Sequence, residues 1–268
     1  MVEVHALASG SSGNAVLVKA GDRGLLIDAG LGPRTLLPAL HRRDIGVDQL
    51  DAILLTHEHD DHLRGAAAAS SRLRAPVVAN RATLAAANAR TELRRATEME
   101  TGSEARFGEF TVRSFGIDHD AAEPVGYVVE VRSTRITYAT DVGRPCDRLR
   151  EALRGAHLCI LEANHDLAWL KRGPYPPHMK ERVASDRGHL SNEDAAALLA
   201  ERLDADGPAA IWLAHLSAVN NSPAFARRFV NTALQAATRV PFALDIALRD
   251  RPSVQWRPRQ AAAQLTLF

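Results

Sequence analysis

An α/β layered domain is the architecture that this chain's patterning predicts, and three observations carry it. Short apolar runs of strand length recur along the chain, helical patterns separate several of them, and polar residues repeatedly stand where an apolar run ends. The first third reads strand, turn, strand: VEVHALA alternates, SGSSGN is a glycine and serine turn, and AVLVKAGDRGLLIDAG holds two strands joined around Gly21 and Asp22. A helix follows Pro33, whose fixed φ suits a first helical turn. DAILLT is a short strand of the buried kind, and the alanine-rich LRGAAAASSRL after it reads as one helix. Strand signals return at APVVA, FTVRSFGI, GYVVEV, RITYAT, LCILEA, AAIWLAH and FALDI, with helices expected from Asn192 and from Ser222.

Composition narrows the class. The 268 residues are enough to bury a large core, and 46% hydrophobic with 24% charged residues is ordinary for a globular chain. No apolar run approaches the length of a membrane span, and MVEVHALASG lacks a basic segment followed by an apolar one, so neither a membrane span nor a signal peptide is expected. Two cysteines, Cys146 and Cys159, make no disulfide framework, and a cytoplasmic protein is the expectation. A net charge of +1 neither demands nor excludes a nucleic-acid partner. The expected organisation is one domain over residues 1–256 and a tail over 257–268.

Chemistry concentrates directly after DAILLT, in His57-Glu58-His59-Asp60-Asp61-His62. Residues two apart at a strand end leave on the same side, so His57 and His59 can meet one metal ion. Asp61 and His62, where the chain turns into a helix, can serve a second ion beside it. At this composition the H-x-H-x-D-H pattern arises by chance in roughly one sequence per thousand. Four side chains do not complete a two-metal site, and the remaining candidates again end strands: His119 after FTVRSFGID, Asp141 after RITYAT, His215 after AAIWLA, and Asp28 after GLLI.

This ordered set resembles the motifs of the metallo-β-lactamase fold superfamily. The resemblance implies a four-layer αβ/βα sandwich with a dinuclear metal site at the sheet edge. It also implies that His57, His59 and His119 hold one ion, that Asp61, His62 and His215 hold the other, and that Asp141 bridges them. Asp28 matches a position that shapes the loop behind the ions. LASGSSGN, HDAAEPVGY, LEANHD, GHLSN and HLSAVNNSP are similar to the YycJ/WalJ subgroup, apart from an alanine in LEANHD where serine is expected. That subgroup implies a 5′-to-3′ DNA exonuclease of replication or repair, using a hydroxide activated between two divalent ions, Zn²⁺ or Mn²⁺. RNA, thioester and lactone substrates use the same ions and stay open as alternatives. A non-catalytic scaffold is the weaker reading, because no ligand position is lost.

Outside the ligand set, His165 and His189 flank a segment that mixes aromatic and cationic residues: Trp169, Lys171, Arg172, Tyr175, His178, Lys180, Arg182 and Arg187. Stacking surfaces interleaved with cations suit a single-stranded end, and His165, His189 and Asp61 are the candidate catalytic side chains. Ser12, Asn14, Asn164 and Ser217 are candidate substrate contacts. The chain ends in QLTLF, which resembles the peptide that bacterial polymerases and repair proteins insert into the sliding clamp. Leu265, Leu267 and Phe268 would fill apolar pockets, and Gln264 would anchor through its amide.

Overall fold

The computed structural model describes residues 1–203 and 208–258, and the clamp-like residues Gln264, Leu265, Leu267 and Phe268 lie outside the described residues. In chain order the elements are β1 (Val2–Ala8), β2 (Ala15–Ala20), β3 (Arg23–Ile27), α1 (Pro33–His41), β4 (Leu50–Leu54), α2 (Asp60–Leu63), α3 (Ala66–Leu73), β5 (Val77–Ala79), α4 (Arg81–Asn88), β6 (Ala96–Glu98), β7 (Glu104–Phe107) and β8 (Phe110–Gly116). They continue with β9 (Val125–Val131), β10 (Thr134–Ala139), α5 (Asp147–Ala152), β11 (Leu158–Glu162), α6 (Leu167–Arg172), α7 (Pro177–Val183), α8 (Asn192–Ala200), β12 (Ala210–Ala214), α9 (Pro223–Ala237), β13 (Ala243–Ile246) and β14 (Gln255–Trp256).

The strands form two sheets of seven, ordered β14-β1-β2-β3-β4-β5-β6 and β13-β12-β11-β10-β9-β8-β7. Side-chain alternation makes four layers of them. Val4, Val16, Val18, Leu25 and Ile27 of the first sheet meet Val112, Val129, Ile136, Ile160 and Trp212 of the second in a shared core. The opposite faces pack outward, Leu17, Leu26 and Ile53 against Leu36 and Leu40 of α1, and Leu161, Ile211 and Leu213 against helices that include α8 and α9.

Strand direction gathers the site. β3, β4, β5 and β6 run parallel, as do β10, β11, β12 and β13. β1 is antiparallel to β2, which is antiparallel to β3, so β1 points the same way as β3. β8 is related to β10 in the same manner through β9. The carboxyl ends of all these strands open on one edge, where α/β sheets place their chemistry.

Two features depart from the sequence pattern. The single helix expected across LRGAAAASSRL is split into α2 and α3 around Gly65. A Cβ at Gly65 would stand 2.3 Å from the Leu31 carbonyl, so the β3–α1 loop presses directly on the backbone at the break. β6, β7 and β14 carry no strand signature: β6 is wholly exposed, and β14 is two residues paired to β1 at Val4 and His5. No helix among the described residues is long and apolar enough to cross a membrane.

Candidate metal centre

Six imidazoles encircle one carboxylate at this edge. His57 lies against His59, His62 and His119, with ring centroids 4.5, 4.1 and 5.1 Å away. The ring of rings closes through His119–His189 at 5.2 Å, His189–His215 at 5.3 Å and His62–His215 at 5.9 Å. Asp141 stands in the middle, with Oδ2 3.1 Å from His62 Nε2 and Oδ1 3.7 Å from His119 Nε2. His57, His59 and His119 bring their ligand atoms within 4.8 Å of one another, and so do Asp61, His62 and His215, and His57, His62 and Asp141.

The tautomers follow from what lies behind the rings. His62 Nδ1 is 2.7 Å from Asp28 Oδ2, His119 Nδ1 is 3.0 Å from the Gly188 carbonyl, and His215 Nδ1 is 2.8 Å from Glu162 Oε1. Asp28 accepts the Thr56 hydroxyl and the Tyr138 hydroxyl, and the Thr56 oxygen lies 3.0 Å from His57 Nδ1. Holding Nδ1–H on an oxygen leaves Nε2 with its lone pair toward the centre, as metal-ligating histidines require. His57 Nε2 is buried and makes no hydrogen bond among the described residues. A buried imidazole nitrogen without a partner, facing other imidazoles and a carboxylate, fits a bound cation and little else.

The electrostatics agree. Burial, reinforced by the charge of His62, holds His57 well below the usual histidine range, so it is the neutral ligand form. Burial alone would lower His215, but Asp141, Asp61 and Glu162 push it up to about 10, so without an ion this position favours a proton, and a cation there would take the proton's place. Asp61 is held far below the usual carboxylate range because the neighbouring His215 and His62 rings, with Nε2 atoms 3.4 and 3.5 Å from its Oδ2, outweigh its burial. Asp28, Asp141 and His215 each adopt a positive φ, at 58°, 59° and 53°. Three non-glycine residues in the left-handed region, each just past a strand end, are backbone strain held at one site.

The other sequence candidates divide by position. His189 reaches the centre, with Nδ1 2.9 Å from Glu162 Oε1 and 3.6 Å from Asp141 Oδ1. His165 is 1% exposed, and neither ring nitrogen has a hydrogen-bond partner among the described residues. Asn14 is fully buried and sends Nδ2 to Asp61 Oδ2 and the Asp61 carbonyl, each at 3.3 Å. Asn164 donates to the His215 carbonyl at 2.8 Å, and the Ser217 hydroxyl accepts the Asn220 amide at 3.1 Å. The contacts of these three side chains are thus to the loops that carry the clustered histidines and aspartates, whereas Ser12 is exposed on the β1–β2 turn. Sequence reasoning missed Glu162, which is fully buried and serves both His189 and His215. It ends β11 as Asp141 follows β10, so the strand-end rule that found the others applies to it equally.

An αβ/βα sandwich with a histidine–carboxylate cluster at its edge defines a metal-dependent hydrolase of the metallo-β-lactamase fold. The profile of the beta-lactamase superfamily domain matches residues 23–215. Exodeoxyribonuclease YycJ of Bacillus anthracis is 36% identical over 234 residues, covering 85% of this chain and 88% of the relative. Exodeoxyribonuclease WalJ of Streptococcus pneumoniae is 36% identical over 220 residues, 80% of this chain and 81% of the relative. The crystal structure of the metallo-β-lactamase fold protein YhfI from Bacillus subtilis superposes with a TM-score of 0.71 at 17% identity, over 95% of this chain and 98% of that one. The chain belongs to the metallo-β-lactamase superfamily and, within it, to the YycJ/WalJ group.

Proposed function

We propose that this protein is a 5′-to-3′ DNA exonuclease of replication or repair. In this reading His57, His59 and His119 would hold one divalent ion and Asp61, His62 and His215 a second, with Asp141 available to both sets. The observation that carries the reading is the cluster itself, with the orphaned His57 Nε2 at its centre, in a chain related over most of its length to named exodeoxyribonucleases. The imidazoles suit Zn²⁺, and the Asp61 and Asp141 carboxylates also accommodate Mn²⁺, so either ion fits this donor set. When bound, such ions supply Lewis acidity at a phosphoryl group and a water activated as nucleophile.

The chain's own groups account for the rest. Asp61, anchored by Asn14, orients the attacking water. His189, steadied by Glu162, is the side chain we assign to protonate the leaving oxygen, with buried His165 as the further candidate. Trp169, 36% exposed and backed by Phe225 at 5.1 Å, offers a face on which a terminal base can stack. Incubating the protein with 5′-phosphorylated DNA and Mn²⁺ tests this. Wild type should shorten the strand from the phosphorylated end, and His59→Ala should not; equal cleavage by both refutes the assignment.

Residues 1–256 act in this reading as the catalytic domain, and 257–268 as a tether ending in the clamp peptide. A tethered peptide raises the local concentration of the nuclease on clamp-loaded DNA. Pull-down of the clamp should succeed with the full chain and fail with a chain ending at Ala263; equal recovery rules the interaction out.

A further inference from the structure

Among the described residues seven arginines reach the loops that carry the cluster, and they fall into two sets. Arg90 pairs with Asp60, Arg144 with Asp118 and Asp186, and Arg182 with Asp120, while Arg148 donates to the Gly116 carbonyl at 2.9 Å and lies 4.0 Å from Asp118. These four are neutralised, wholly or in part, where they stand. Arg64, Arg187 and Arg249 pair with no carboxylate among the described residues. Each is held by a backbone carbonyl of a site loop instead: Arg64 Nη1 donates to Ser12 at 3.1 Å, Arg187 Nε and Nη2 to His119 at 3.2 and 3.1 Å, and Arg249 Nη2 to Leu216 at 3.0 Å.

The placement follows from the topology. Arg64 caps α2 two residues beyond His62. Arg187 reaches across to the loop after β8, and Arg249 follows β13 and lies over the β1–β2 turn, where a Cβ on Gly10 would stand 3.0 Å from its Cγ. A carbonyl takes at most two of the five N–H groups of a guanidinium, so each fork is oriented by the protein while keeping free donors and its full charge. A guanidinium so held loses little entropy on meeting a phosphate, and bidentate geometry favours one.

We infer that Arg64, Arg187 and Arg249 form a three-point grip on consecutive backbone phosphates of the substrate strand around the metal centre. The inference rests on the nuclease reading and assigns it residues that the sequence motifs do not contain, apart from Arg187. Phosphate contacts position a strand without reading its bases, so binding through this grip is independent of sequence and sensitive to salt.

The test compares wild type with Arg64→Gln, Arg187→Gln and Arg249→Gln, with Arg90→Gln as the control from the neutralised set. Affinity for short 5′-phosphorylated single-stranded DNA is measured by fluorescence anisotropy across a salt series. Each of the three substitutions should weaken binding about 10-fold and lower the slope of log affinity against log salt by about 1, whereas the control changes neither. Unchanged melting temperatures exclude misfolding as the cause. If the three bind DNA with the affinity and salt slope of the control while wild type cleaves DNA, the grip is wrong and the nuclease reading stands. If wild type neither binds nor cleaves DNA, both fall together.

Discussion

At Glu162 two histidines converge on one oxygen. Oε1 takes His215 Nδ1 at 2.8 Å and His189 Nδ1 at 2.9 Å, while Oε2 accepts the Val142 and Leu190 amides at 2.7 and 3.2 Å. Burial opposes its ionisation, but the charge and hydrogen bonds of the two histidines win, and it is lowered to about 2. Glu162→Gln keeps the shape and loses the charge. Outer carboxylates behind ligating histidines contribute roughly 10- to 100-fold to metal affinity or activity, and a loss of that size is expected here, measured by metal titration and cleavage rate. Because its folded value lies below the usual 4.5, Glu162 stabilises the native state above about pH 4.5, and that contribution fades as pH falls toward 2. Acid denaturation of the metal-free protein should therefore begin closer to neutrality in Glu162→Gln.

Among the elements, the loops that end β1 and β3 and open α2 are fitted backbone to backbone. The Gly30 amide donates to the Asn14 carbonyl at 2.8 Å, and the Asn14 amide to the Asp61 carbonyl at 2.7 Å. A Cβ on Gly30 would lie 1.6 Å from the Asp61 carbonyl oxygen, closer than any side-chain atom can approach backbone. Gly30→Ala must displace the Asp61–His62 segment, since no flexible side chain is there to yield. Destabilisation of about 3 kcal/mol or more is expected by urea unfolding, together with loss of metal affinity. Element boundaries were legible where burial is strong, as in β4, β10, β11 and β12. β6 and β7 escaped notice because they are edge-side strands with exposed or half-exposed residues, whose pairing comes from neighbours instead of a pattern of their own.

For the whole molecule, the cluster is a meeting of both sheets. His57 and His62 come from the first, and His119, Asp141, Glu162 and His215 from the second. A cation held there links the two halves across the shared core and binds only the folded state. At a free concentration about 100-fold above its dissociation constant it adds roughly 2.7 kcal/mol. Chelation should thus lower the melting temperature, and readdition of Zn²⁺ or Mn²⁺ should restore it. No change on chelation would show that the cluster holds no ion.

His57, His59, Asp61 and His62 could be recognised from order alone, since one strand end and one helix start bring them together whatever the rest of the chain does. The sequence by itself also determined the layered α/β class, because apolar periodicity is a local property of each segment. Only the tertiary structure decided which distant groups complete the centre. Glu162 finds its partners 27 and 53 residues away, and Asn14 meets Asp61 across 47. The same holds for the arginines: which are neutralised by an aspartate and which keep their charge depends on loops from separate strands meeting at one edge. Hydrogen bonds and ion pairs act over a few ångströms in space, and only the folded chain sets those distances.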